Sequence, residues 1–173
     1  MKKRNIKNLS ILLSITLFIG LLSCDSNDDI YQNEIIGTYT GTLSSEFSSK
    51  TFSTKETASK SATAVVSMVG DKIEVHCFND EFDQSVLLYT YKDNDSIMVC
   101  LTGSEFENMY GHRLGEGNMN GNMGNMSTEW GRHMNEEHNS NDEHFGGFNM
   151  KMNSFGYTFR TNHGDYHFQG TKN

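Results

Sequence analysis

From residue 62 to residue 101, apolar and polar side chains alternate with a period of two. That period sends successive side chains to opposite faces of an extended chain, so it predicts strands rather than helices. The alternation breaks at turn-forming residues, which divide the stretch into four strands. They are Ala62–Val69, ended by Gly70-Asp71; Ile73–Phe78, followed by the polar connection Asn79–Gln84; Val86–Tyr91, followed by the turn Lys92-Asp93-Asn94-Asp95; and Ser96–Leu101. Two further stretches carry the pattern. Ile35–Leu43 is rich in β-branched and aromatic residues, with Gly37 and Gly41 marking a bend or a close backbone approach. Near the C-terminus Phe155, Tyr157 and Phe159 alternate along one strand, Asn162–Asp165 forms a turn, and Tyr166 and Phe168 alternate on the last strand. Residues 44–61 are rich in Ser, Thr and Lys, with Phe47 and Phe52 as anchors, and predict a weak edge strand or a long loop.

Pairing the strands through their turns assigns residues to faces. A four-residue turn sets Tyr91 opposite Ser96, Leu88 opposite Val99 and Val86 opposite Leu101. The Asn79–Gln84 connection sets Phe78 opposite Ser85, Cys77 opposite Val86 and Val75 opposite Leu88. One face then collects Ile73, Val75, Cys77, Val86, Leu88, Ile97, Val99 and Leu101, a continuous apolar surface. The other carries Glu74, His76, Leu87, Tyr89, Tyr91, Met98 and Cys100. Cys77 and Cys100 are thereby placed on opposite faces of next-but-one strands, about 10 Å apart. A disulfide needs Cα atoms within roughly 7 Å, so both cysteines are expected to be unpaired.

The amino terminus follows a different pattern. Lys2, Lys3, Arg4 and Lys7 precede an apolar run from Leu9 to Leu22. The run is about 14 residues, short of the roughly 20 that span a bilayer, and the order of basic then apolar residues is that of a secretory leader. It ends in Leu21-Leu22-Ser23-Cys24, which resembles a bacterial lipobox. The resemblance implies that residues 1–23 are a lipoprotein signal peptide and that the thiol of Cys24 carries lipid. Residues 24–34 then read as an acidic tether, and Asp25-Ser26-Asn27-Asp28-Asp29 resembles the surface-export signal of Bacteroidota lipoproteins. Together these imply an outer-membrane protein held by N-terminal acyl chains, on the cell surface or the periplasmic face. Charge then narrows the partners. The chain has 22 acidic against 14 basic side chains, a formal charge of −8, and loss of the four leader cations takes it to −12. Nucleic acid is not expected as a partner, because binding a phosphate backbone needs a basic footprint.

The opening Gly37-Thr38-Tyr39-Thr40-Gly41-Thr42-Leu43 and the closing Tyr166-His167-Phe168-Gln169-Gly170-Thr171-Lys172 are similar to the ends of small lipocalin-like (calycin-like) lipoproteins of the Bacteroidota. The resemblance covers residues 35–101 and 154–173. It implies an all-β fold, a small antiparallel barrel or curved sheet, over a single domain from 35 to 173.

Composition changes abruptly between 103 and 153. These 51 residues hold no Val, no Ile and one Leu, but ten Asn, nine Gly, seven of the ten Met and four of the seven His. They read as a long irregular insert, with room for two short helices. Ser104-Glu105-Phe106-Glu107 has the capping-box form, with Phe106, Met109 and Tyr110 on one face. Ser127 or Thr128 is placed to cap a second helix carrying Trp130, Met134 and His138.

The candidate chemistry of the insert is soft-metal binding. Thioethers suit Cu(I), and imidazoles suit copper and zinc. Met119, Met123 and Met126 can converge on one ion, and His133, Met134 and His138 follow, with His112 and His144 in reserve. Glu136, Glu137, Asp142 and Glu143 add carboxylates that can steady such ligands. The Met-Asn-Gly tract resembles the Met-rich stretches of periplasmic copper-handling proteins, which puts copper ahead of zinc. No nucleophile elbow, phosphate-cradling loop or His-Glu-x-x-His pair is present, so no enzyme is expected. The expected function is chelation without turnover. The alternative is a module that binds a small apolar ligand or an envelope protein, with the insert as a lid.

Overall fold

The computed structural model describes residues 33–46, 58–117 and 127–173. Cys24 and the tract residues Met119, Met123 and Met126 lie outside the described residues. The compact unit that contains the strands runs from Glu34 to Asn173. Its strands are β1 (Gly37–Glu46), β2 (Ala58–Val69), β3 (Lys72–Phe78), β4 (Asp83–Asp93), β5 (Ser96–Leu101), β6 (Gly146–Asn149), β7 (Ser154–Thr161) and β8 (Gly164–Lys172). Each pairs antiparallel with the next, and β8 returns to β1, closing a barrel in chain order. The all-β, lipocalin-like architecture is therefore the one the chain adopts. The two segments that carried the family resemblance are the two strands that close it.

Closure depends on close approach at one point. Gly41 pairs with Gly170, and a Cβ on Gly41 would overlap the backbone of Gln169 and Gly170. With eight strands the interior is just wide enough for side chains to fill. Here Tyr39, Phe148, Phe155 and Phe168 fill it with Ile73, Val75, Cys77, Leu88 and Val99, none more than 2% exposed. Phe148 and Phe155 stack with centroids 4.4 Å apart, and Tyr39 lies 5.7 Å from each. Outward positions on β1 and β2 include Thr38, Thr40, Thr42, Ser61, Thr63 and Ser67, with Val65 an apolar exception. An apolar lumen within a polar exterior is the reverse of the pattern in a membrane-spanning barrel with an aqueous channel.

Both expected registers shift by two residues. Phe78 pairs with Asp83, not Ser85, because the Asn79 side chain accepts from the Glu81 and Phe82 N–H groups (2.8 and 2.9 Å) and tightens the connection. Asp93 pairs with Ser96, so the turn is the two residues Asn94-Asp95 instead of four. Asn94 takes the left-handed conformation (φ 54°) that tight hairpins require and Asn tolerates. A slip of two preserves the faces, so Ile73, Val75, Cys77, Leu88, Ile97, Val99 and Leu101 all point inward and are buried. Cys77 and Cys100 are both unpaired.

The insert is shorter than its composition suggests. Residues 146–149, within the expected 103–153 stretch, form β6 between β5 and β7, and Phe148 joins the lumen. Glycine tolerates strand geometry without contributing packing, so the Gly-Gly-Phe-Asn sequence of β6 is supported by its neighbours rather than by propensity. Among the described residues of the insert, two helices precede it: α1 (Gly103–Tyr110) and α2 (Glu129–Glu137). Thr128 caps α2, its hydroxyl accepting from the Gly131 N–H at 3.1 Å. At α1 the expected Ser104 box does not form. The cap position is Thr102, whose hydroxyl donates to the Leu87 carbonyl at 3.3 Å.

Candidate metal centre

The period of two that turns Ile97, Val99 and Leu101 into the lumen turns Cys100 outward on β5, beside Tyr89 on β4. An outward position on a barrel strand ordinarily meets water. Cys100 is nevertheless 3% exposed, because the segment between β5 and β6 folds over it. Several contacts hold that cover. The Lys92 N–H donates to Glu129 Oε2 at 2.9 Å, tying the start of α2 to β4. Tyr91 stacks flat on His133, with centroids 3.6 Å apart and planes 16° apart. From α1, fully buried Phe106 presents its ring to His112 and His138 at 5.2 and 5.0 Å. Gly117 lies against the His138 backbone, where a Cβ would overlap it.

Under this cover three donors converge. His138 Nε2 lies 3.5 Å from Cys100 Sγ and 2.9 Å from His133 Nε2, and one ligand atom from each residue lies within 4.8 Å of the others. His133 is on α2, His138 directly follows it, and both are buried. The far side of each imidazole faces a carboxylate. His138 Nδ1–H donates to Asp142 Oδ2 at 3.1 Å. That bond leaves the lone pair on Nε2, facing Cys100 and His133. Asp142 also accepts from the Asn139 N–H and from His112 Nε2–H, both at 2.8 Å. His133 Nδ1 sits 3.4 Å from Glu137 Oε2, but without the alignment of a hydrogen bond, so it is buried without a bonded partner. Carboxylates behind imidazoles are the arrangement that orients metal-binding histidines.

The electrostatics point the same way. Burial pushes His133 down to about 3, with His138 and His144 adding to the effect, so it is neutral at physiological pH. Burial also lowers His138, against the opposing pull of Asp142. Neutral imidazole is the ligand form. His112 differs: burial opposes its protonation, but the Asp142 carboxylate and the Arg113 carbonyl (2.9 Å from Nδ1) hold it above its usual value. Both its nitrogens face acceptors, so it serves Asp142 as a cationic partner. Burial pushes the Cys100 thiol up to about 12, with Glu137 and Asp142 adding to it, so a bound cation would have to displace the thiol proton.

With the thiol protonated, the single lone pair of His138 Nε2 faces two prospective donors, Cys100 and His133. If His133 keeps its proton on Nε2, its bare Nδ1 faces the Glu137 carboxylate. With a cation at the centre both conflicts would be resolved: each Nε2 would be a ligand, and His133 would carry its proton on Nδ1, the side of Glu137. The dimensions suit this. Bonds of about 2.3 Å to sulfur and 2.0–2.1 Å to nitrogen in a tetrahedron imply a sulfur–nitrogen edge of roughly 3.5 Å, the observed Cys100–His138 separation. They imply a nitrogen–nitrogen edge of roughly 3.3 Å, so His133 and His138 must part by a few tenths of an ångström. Buried Cys100, His133 and His138 can thus hold a metal ion.

Of the residues expected from the sequence, His133 and His138 meet in this cluster. Met134 is partly buried on α2, next to His133. His144 places its ring 4.4 Å from that of His138. His112 stands one carboxylate behind the cluster. Cys100 was not among the expected ligands. Its available signal was an apolar outward run, Tyr89, Tyr91, Met98 and Cys100, on a face that needed covering. Compared with protein-family models, with curated proteins and with solved structures, the chain matches none.

Proposed function

We propose that this protein chelates one thiophilic d-block ion at the cell envelope, copper before zinc, without turnover. The observation that carries this reading is the convergence of Cys100 Sγ, His133 Nε2 and His138 Nε2 beneath a closed cover, with carboxylates behind both imidazoles. Two arguments favour copper. Mixed nitrogen and sulfur sites bind copper more tightly than zinc. The tract bearing Met119, Met123 and Met126 also runs directly into the cap of α2, so its thioethers are tethered close in sequence to His133. The lipobox-like Leu21–Cys24 supports anchoring by acyl chains. The rival reading, an apolar ligand inside the barrel, meets a lumen already filled by Tyr39, Phe148, Phe155 and Phe168.

Titration of the domain with Cu(I) and separately with Zn(II), each against a competing chelator, tests the proposal. The expected result is tight binding of one ion with release of the thiol proton, lost in Cys100→Ala. Leucine at 119, 123 and 126 together should weaken Cu(I) and spare Zn(II). Failure of the wild type to compete for either ion would end the metal reading, and equal Cu(I) binding by the leucine variant would end the part assigned to the methionines.

A further inference from the structure

The three-donor cluster leaves one neighbouring group unexplained. His144 lies in the irregular segment between Asp142 and β6, and its Nε2 is buried with no hydrogen-bond partner. An unpaired buried nitrogen of this kind destabilises the fold, so its persistence calls for a reason. The ring is not loosely placed. It meets His138 with centroids 4.4 Å apart and Trp130 with centroids 4.5 Å apart, both nearly edge-on. His133 meets the same His138 ring with centroids 4.6 Å apart. The His138 ring, itself beside the Cys100 thiol, thus has two imidazole neighbours, His133 and His144.

The flanking backbone is tied down. Tyr110 donates its hydroxyl to the Glu143 carbonyl, and the Thr158 N–H donates to the Phe145 carbonyl at 2.8 Å. Arg160 adds an ion pair to Glu143 at 3.1 Å. Residues 143 and 145 are therefore anchored to α1 and β7, which leaves rotation about the His144 side-chain bonds as the way to re-aim its imidazole.

Resting on the metal-binding reading above, we propose that His144 is a fourth ligand, which turns its Nε2 onto the ion and completes a closed one-thiolate, three-imidazole site. Neutral imidazole is needed for this, and burial, reinforced by His138, keeps His144 in that form, with its pKa pushed down to about 4. For Zn(II) or Co(II) the consequence is a site with no position left for water or substrate, which is the pattern of a storage or structural centre rather than a hydrolytic one.

Co(II), whose visible bands report coordination number, is the probe. The wild type should show the intense bands of four-coordinate cobalt. His144→Leu, close to His in volume, should bind at least tenfold more weakly and show weaker bands from a site completed by water. His144→Gly should regain the wild-type spectrum when free imidazole is added. The ion-free His144→Leu protein should be as resistant to urea as the wild type or more so, because the orphaned nitrogen is gone. A merely structural role predicts the opposite: lower stability with unchanged spectrum and affinity. Unchanged binding in His144→Leu, or failure of imidazole to restore the glycine variant, would overturn the assignment while leaving the three-donor centre in place. Absence of Co(II), Zn(II) and Cu(I) binding by the wild type would overturn both.

Discussion

Cys77 and Cys100 are buried to nearly the same degree, at 0% and 3% exposure, and burial pushes both thiols up to about 12. Their surroundings differ completely. Cys77 sits on β3 in the lumen, on the face shared by Ile73, Val75 and Leu88. Cys100 sits two strands away on the outer wall of the same barrel, 3.5 Å from an imidazole and roofed by α1 and α2. The lumen is held by apolar area and ring packing, which are non-directional. The outer pocket is held by a chain of oriented polar contacts, from Arg113 through His112, Asp142 and His138 to His133. Burial alone therefore does not mark a cysteine placed to bind a metal; the imidazole donors beside Cys100 do.

That contrast can be broken or sharpened by substitution. The largest expected effect is on the lumen: Phe155→Ala should cost about 3–5 kcal/mol, read as a lower urea midpoint, while molecules that remain folded keep their metal affinity. Next come the cysteines. Cys100→Ala should weaken metal binding by more than roughly 100-fold, since even groups behind the ligands are worth 10–100-fold. Cys77→Ala should leave affinity unchanged and cost only about 1–3 kcal/mol of stability. Equal loss of affinity in the two variants would erase the distinction between inner and outer faces.

Asp142→Asn should have an intermediate effect, a fall in metal affinity of roughly 10–100-fold, measurable by calorimetry, because His138 loses the charge that orders its tautomer. A different kind of test is the pH dependence of the ion-free fold. His133 and His144 have folded values of about 3 and 4 against 6.5 when unfolded. Below pH 6.5 the unfolded chain takes up protons that the folded chain refuses. Their contribution is therefore fully retained above that value and lost as pH falls toward 4 and then 3. His133→Phe should show a shallower decline of urea midpoint between pH 7 and pH 4 than the wild type, and an identical decline would show that His133 is not held neutral.

Much of the barrel is legible in the chain itself. Alternation places Ile73, Val75, Leu88, Ile97 and Val99 inward because the period of strand side chains is two, and that assignment survives a two-residue slip in register. The terminal motifs point to the two strands that close the barrel. The cap of α2 is narrowed by the sequence to Ser127 or Thr128, two hydroxyls just ahead of a helical stretch, and the structure picks Thr128. Less visible is β6, whose glycines have no strand preference and whose existence depends on β5 and β7 on either side. The metal centre is legible only in half. The histidines stand out in a segment without aliphatics, whereas Cys100 belongs to a strand and shows nothing local that links it to residues 133 and 138.

The sequence by itself determines the strand periodicity, the leader-like start and the concentration of His and Met in one segment, since each depends on residues near one another along the chain. Only the tertiary structure decides that the outer wall of β5 is covered and that a thiol meets two imidazoles. Those facts depend on contacts between residues about forty positions apart, brought together when α2 docks on β4, and local pattern carries no information about that docking.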